Sequence, residues 1–407
     1  MNKIIMIKRV ICVTLFIFLS SGAFCESPVM QAYLERFVRA DLFGKVDILH
    51  EASRNYELNS QTGYAHSLYE YALQFVADNY AQIDDLCDMN TIAGLSINGL
   101  INEKNANHIT DSDIYGILNV LWKLFLSYPD SKTRADTVIA LSIIGKGNAS
   151  LINNINNFLT EQNALFRSGE AVDYLVVSAC ISALMELGSS SSYPVLFSII
   201  TSGYPEVISS ESYGALEIIP GALQQFLLNV IENNPPDEKY AAFRAVMNSQ
   251  RLTIPERGQL AEAALAQSLL ASEENVDLSV IRYASVVMLT GLRWTRANNL
   301  AIRHYYQVQA DYQHEIIPKE RFLEAIACLG AVGNSDAALV LCLQLGLINI
   351  RTETQGVFDA DITLAIVKSL GLIGDNAAFN HLSYITNLPY TDEIIAQARE
   401  AVNRLKW

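Results

Sequence analysis

The chain has 407 residues, half of them apolar and only 17% charged, with 43 acids against 28 bases for a net charge of −15. Such a field repels phosphate backbones, and non-specific nucleic-acid binding depends on neutralising them with lysine and arginine, so nucleic acid is excluded as the expected partner. Six scattered cysteines without a C-x-x-C pair exclude a disulfide framework, while the apolar half is ample material for a core.

Residues 1–25 come first in chain order. Lys3, Lys8 and Arg9 precede an apolar run from Val10 to Leu19, and the small residues Ser20, Ser21, Gly22 and Ala23 follow. Charge, then apolar stretch, then small residues is the pattern of a secretory signal peptide. Cleavage fits after Ala23 or after Cys25. The run is shorter than the roughly 20 residues of a membrane-spanning helix, which argues against an uncleaved anchor. Lipidation of Cys25 is a third reading, disfavoured by the bulky Phe24 before it. The short charged region points to a bacterial exporter and to a periplasmic or cell-surface protein. Without the first three cations the net charge is near −18. No later segment is apolar enough to span a bilayer, so the mature chain is expected to have no membrane span and to be soluble.

Length alone suggests two or three globular domains; internal repetition overrules that prior and is sought first. Residues 26–130 read as an N-terminal helical or capping region, with helices near 30–42, 66–80, 85–102 and 111–127. Repeats occupy 131–204 and 278–391. The segment Ala325 to Ala338, with Gly330 and Gly333, recurs as Ala365 to Ala378, with Gly371 and Gly374, at a spacing of 41. Looser copies end at Gly145, Gly188 and Gly291, with gaps of 43, 103 and 42 along the series to Gly333. Each unit reads as two helices: Phe322, Ala325, Leu329 and Val332 share one helical face, and Ala338, Leu341 and Leu345 another after the turn. The second glycine is expected to end the first helix in the left-handed conformation, with Asn334 or Asp375 capping the next. The first glycine is costly inside a helix and implies close approach of a neighbouring helix. The glycines lack the Gly-Lys-Ser/Thr ending and preceding strand of a phosphate loop.

These motifs resemble the HEAT-repeat family, in particular the bacterial pattern Leu-Gly-x-Ile-Gly-Asp-x-x-Ala, well over 319–389 and moderately over 134–200. The resemblance implies an all-α fold, an α-solenoid of stacked antiparallel helix pairs forming a right-handed superhelix, with a role in protein contacts and no reaction. The family often pairs a basic residue of the second helix with the turn aspartate of the next repeat. Val340 and His381 stand there instead, so that ladder is expected to be missing or altered.

Residues 205–277 read as divergent helical repeats: a kink or helix start at Pro220-Gly221, then helices at Ala241 to Met247 and Leu260 to Leu270. Residues 392–407 read as a capping helix with Ile395, Ala398, Val402 and Leu405 inward and polar residues outward.

The six histidines form no H-x-x-x-H pair, no G-x-S-x-G elbow occurs, and Asp84-Asp85 and Glu273-Glu274 are only sequence neighbours. No enzyme activity, metal or cofactor is expected. Four cysteines remain if cleavage follows Cys25; Cys328 and Cys342 are the only plausible bridge, although both read as small buried hydrophobes.

One stretch departs from the acidic background. Between 282 and 321 stand Arg282, Arg293, Arg296, Arg303, Lys319 and Arg321, interleaved with Tyr283, Trp294, Tyr305, Tyr306 and Tyr312. Arginine and large aromatics are enriched at binding hot spots. On a helix near 300–316, Ala301, Tyr305, Val308, Tyr312 and Ile316 form the inward stripe, with Arg303, Tyr306, Ala310 and Gln313 outward. Arg293, Trp294, Arg296, Arg303 and Tyr306 are therefore the candidate protein-binding residues. The plain alternative is that Trp294 fills a corner and the arginines balance nearby acids. The expected role is a scaffold with a protein partner. The alternatives are a structural subunit of an envelope assembly, or an enzyme or ligand-binding protein with a pocket on the concave face. Export is checked at the mature N-terminus, expected between Ala23 and Glu26; a mature form lipidated at Cys25 that partitions into detergent refutes it.

Overall fold

Apolar side chains repeat at helical spacing through the computed structural model, which describes residues 28–54, 65–83, 86–270 and 276–406. Residues 1–25, read above as a signal peptide, and the acidic pairs at 84–85 and 273–274 lie outside them. Among the described residues twenty α-helices form in chain order. They are α1 (Pro28–Arg39), α2 (Leu42–Arg54), α3 (Ala65–Asn79), α4 (Cys87–Asn105), α5 (Asp111–Ser127), α6 (Ser131–Ile144), α7 (Ala149–Arg167), α8 (Tyr174–Leu187) and α9 (Tyr193–Thr201). After them come α10 (Glu206–Ile218), α11 (Leu223–Asn233), α12 (Pro236–Asn248), α13 (Ile254–Ser268), α14 (Val276–Leu292) and α15 (Asn298–Gln313). The last five are α16 (Lys319–Val332), α17 (Ser335–Gln355), α18 (Ala360–Ile373), α19 (Phe379–Tyr384) and α20 (Asp392–Asn403). Among the described residues there is no strand, only an isolated bridge between Asp375 and Lys406. None of these helices is long and apolar enough to cross a membrane. The fold is all-α and solenoid-like.

The chain divides into two units at Val195 and Leu196. In the first, α2, α4, α6 and α8 stack in one layer, each on the helix two before it, and α3 and α5 stack alongside. α2 escapes the sequence pattern because a lysine occupies its inner face. Lys45 is buried, and its ammonium donates to the carbonyls of Phe37 (2.6 Å) and Ala40 (2.5 Å) at the end of α1. The rings of Phe37 and Phe75 cover it, and burial holds its pKa below the usual lysine range. The orphan carbonyls of a helix end thus receive a buried cation.

In the second unit α12, α14, α16, α18 and α20 form one layer, and α11, α13, α15, α17 and α19 the other. The first glycines of the repeat set the spacing of the first layer. A Cβ on Gly330 would lie 2.6 Å from the Ser369 hydroxyl and 2.8 Å from its Cα; one on Gly371 would lie 2.9 Å from the Cβ of Ala401. α16 therefore meets α18, and α18 meets α20, nearly backbone to backbone. The Ser369 hydroxyl also donates to the Ile326 carbonyl at 3.1 Å.

The second glycines differ from expectation. Gly374 ends α18 in the left-handed conformation (φ 72°), but Gly333 is extended (φ −72°, ψ 157°). Space, not handedness, excludes a side chain at Gly333: its Cβ would be 2.2 Å from the Leu329 carbonyl oxygen and 2.6 Å from the Ala337 Cβ. Gly291 lies inside α14, and the left-handed residue past that helix is Arg293 (φ 50°). The basic ladder is replaced by neutral donors. The Ser335 hydroxyl donates to the Asp375 carboxylate, and the Asn334 amide donates to the Asn298 side-chain oxygen at 3.1 Å. Gln309 donates to Gln344 at 2.7 Å, again across one repeat.

Two further registers are corrected. α20 buries Ile394, Ala398, Ala401 and, just past its end, Leu405, because Ala401 must face Gly371; Ile395 and Val402 are only partly covered. α15 ends at Gln313, so Ile316 falls beyond it and is exposed. Gly374→Val should cost 1 kcal/mol or more, on the order of the left-handed penalty for a residue with a Cβ. Gly330→Val should cost about 2 kcal/mol by overpacking. Denaturant titration measures both, and unchanged midpoints would refute this stacking.

Candidate functional site

Most of the basic–aromatic stretch is spent inside the second unit. Arg282 and Asp311 are both buried, with Nη2 and Oδ2 3.6 Å apart, and Arg282 also donates to the Tyr283 hydroxyl at 3.0 Å. Arg321 lies 4.3 Å from the Tyr283 ring centroid and pairs with Glu324 at 2.7 Å. Lys319 reaches Asp359 (3.4 Å) and Asp361 (2.5 Å) of the next repeat. Tyr305 and Tyr312 pack on Phe322.

The five candidate residues go to different places. The Trp294 ring lies over Gly258, where a Cβ would come within 2.5 Å of it, and its Nε1–H donates to Glu262 at 2.7 Å. Arg296 stands over the same ring with its Nε 3.5 Å from the same carboxylate. Arg303 and Tyr306 are exposed on α15, in the second layer. Arg293 stands at the end of α14, in the first layer. Trp294 and Arg296 come together, and the other three do not join them.

Two surfaces emerge that composition did not single out. The first is a groove of about 600 Å³ across α14, α16 and α18. Its floor is Ala327, Gly330, Ala331, Ala365 and Ser369, small because the helices approach so closely there. Leu323, Leu364 and Leu372 wall it, and Arg293 and Lys368 stand on it. Among the described residues neither cation has a hydrogen-bond or ion-pair partner, whereas Asp361, also on the groove, is held by Lys319. The second is a stripe on α17: Leu339, Leu343, Leu347 and Ile350 are 52%, 67%, 65% and 59% exposed. Their spacing of four, four and three puts them on one face, opposite the buried Ala337, Leu341 and Leu345. The signal lay in the sequence as a helix apolar on both sides, which a surface helix is not.

No group of three or more histidine, cysteine, aspartate or glutamate side chains is placed to hold a metal among the described residues. All four described cysteines are free thiols, Cys87 exposed and Cys180, Cys328 and Cys342 buried; burial pushes Cys328 and Cys342 up to about 11. Such thiols are poor nucleophiles. His304 is fully buried beside Tyr283, and neither ring nitrogen has a partner among the described residues. Burial, then the charge of Arg282, lowers its pKa to about 3, so it is neutral in the fold. Compared with models of protein families and with curated protein sequences, the chain has no match.

The histidine sets a pH dependence. Its folded pKa is below the ordinary 6.5, so below that pH the unfolded chain binds a proton the fold refuses. Stability from this residue is complete above about 6.5 and is lost progressively as pH falls toward 3. His304→Leu should flatten the fall in unfolding free energy between pH 6.5 and 4, measured by urea titration at each pH; an unchanged slope would refute it.

Proposed function

We propose that this chain is an exported scaffold of HEAT-type repeats that binds another protein and performs no catalysis of its own, in a bacterial envelope. The observation that carries the reading is the α17 stripe, four large apolar side chains in a row that no other helix of the second unit covers. Contiguous exposed apolar surface of this kind marks interaction sites in proteins. Over eleven helical steps the stripe is about 16 Å long, the scale of a helix-in-groove or helix-on-helix contact. The signal-like segment supports export, and the acidic balance disfavours nucleic acid.

The same stripe favours a second reading, a structural subunit of an envelope assembly. Its spacing is nearly symmetric about its middle, so two antiparallel α17 helices would set Leu339 against Ile350 and Leu343 against Leu347, an isologous contact.

A photo-crosslinking residue placed at position 343 in the cell envelope distinguishes the readings. The scaffold predicts a crosslink to a different protein, absent from a control at exposed position 136 and abolished by Leu347→Asp. That variant should keep its melting temperature, because exposed substitutions cost under about 0.5 kcal/mol. A crosslink to identical copies only, with a dimer mass in solution, would establish the assembly reading instead. No crosslink at all would refute both.

A further inference from the structure

We infer that the groove across α14, α16 and α18 binds an extended peptide segment carrying acidic side chains beside leucine-like ones. The inference goes beyond the scaffold reading: it needs the second unit folded but does not use the α17 stripe.

Charge is the first argument. The chain carries −15 overall, yet Arg293 and Lys368 stand on one groove with no anionic partner among the described residues. Four neighbouring cations of the 282–321 stretch are paired: Arg282 with Asp311, Arg296 with Glu262, Lys319 with Asp359 and Asp361, Arg321 with Glu324. The carboxylate on the groove, Asp361, is the one Lys319 engages, which leaves the groove locally positive. A guanidinium is a preformed two-pronged donor for a carboxylate, and an ammonium adds a second cation beside it.

The backbone at Arg293 is the second argument. Arg293 is held at φ 50°, where the equivalent positions past α8, α17 and α18 are Gly188, Gly356 and Gly374. A left-handed helix end is met at least cost by glycine. Here the chain keeps a long cation in that conformation, and strained non-glycine residues concentrate at functional sites.

Shape is the third. The floor of Ala327, Gly330, Ala331 and Ala365 lets a main chain come close, and Leu323, Leu364 and Leu372 offer apolar walls for alternate side chains. About 600 Å³ falls within the usual range of ligand sites. The trough is open to solvent, so an alkyl chain laid in it would remain half wet, while a peptide backbone keeps its outward polar groups hydrated.

The test uses the full mature chain and a fluorescein-labelled peptide, Gly-Ser-Leu-Asp-Leu-Leu-Asp-Leu-Ser-Gly, followed by fluorescence anisotropy. Saturable binding is expected, at least tenfold weaker for the same peptide with lysine in place of aspartate. Lys368→Glu should weaken binding at least tenfold, and Lys368→Gln serves if the reversal does not fold. Arg293→Gly should weaken it at least fivefold while the melting temperature holds or rises, whereas a structural arginine would lower it. Leu343→Asp should bind as the wild type does, so loss of the α17 stripe and loss of the groove are read separately. No binding up to millimolar peptide, or undiminished binding by the Lys368 and Arg293 variants, would overturn the inference. So would tighter binding of sodium decanoate than of the peptide, lost on the same substitutions, which would make the groove a site for amphiphiles.

Discussion

The second unit depends on how near three helices can come to one another. Gly330 against Ser369 and Gly371 against Ala401 bring α16, α18 and α20 to distances that a single added methyl group would violate. Glycine inside a helix weakens it by up to about 1 kcal/mol relative to alanine, and that loss is offset by packing that only a bare backbone allows. The same contacts lay out the surface. Where the ridge side chains are alanine and glycine, the space between helices becomes a trough, and the leucines a turn away become its walls. Groove and stacking therefore have one cause.

Polar contacts then fix each repeat to the next in a way apolar packing alone does not. Ser335 with Asp375, Asn334 with Asn298, and Gln309 with Gln344 each span one repeat, and each has a single geometry. Deeper in, the Arg282–Asp311 pair and the neutral His304 share the space between α14, α15 and α16. Buried ion pairs add little net stability, because desolvation opposes the attraction, but breaking one is costly. Their effect here is to specify which helix faces which, as the hydrogen bonds do at the turns.

The helical pairs were legible because glycine, aspartate and apolar spacing recur together, and α16 and α18 fall where Phe322 to Val332 and its copy place them. Phase was less legible. In α20 both Ile394 and Ile395 could face inward, and the choice belongs to Gly371 on another helix. Gly291 looked like a helix end by analogy, yet α14 continues past it and Arg293 takes the turn. Composition drew attention to 282–321, but Glu262 and Asp359, which take up Arg296 and Lys319, lie some 30 to 40 residues from them in sequence, a distance over which periodicity carries no information. Arg293 alone of the five named residues reaches the groove. The α17 stripe was present in the sequence as apolarity in excess of the Ala338, Leu341 and Leu345 face.

The segment after α20 folds back on the turn that ends α18. After α20 the Lys406 amide donates to the Gly374 carbonyl at 2.8 Å, and Asp375 and Lys406 form a bridge, so the last residues are tied to the turn that ends α18. Helix pairs stack neighbour on neighbour, so a tensile load applied beyond α20 meets this latch before it reaches the pairs behind it. Once the latch gives, α20 peels from α18 and exposes Gly371, and the next pair bears the load in turn. Pulled from that side, the unit would yield in steps of one repeat, beginning at this tie.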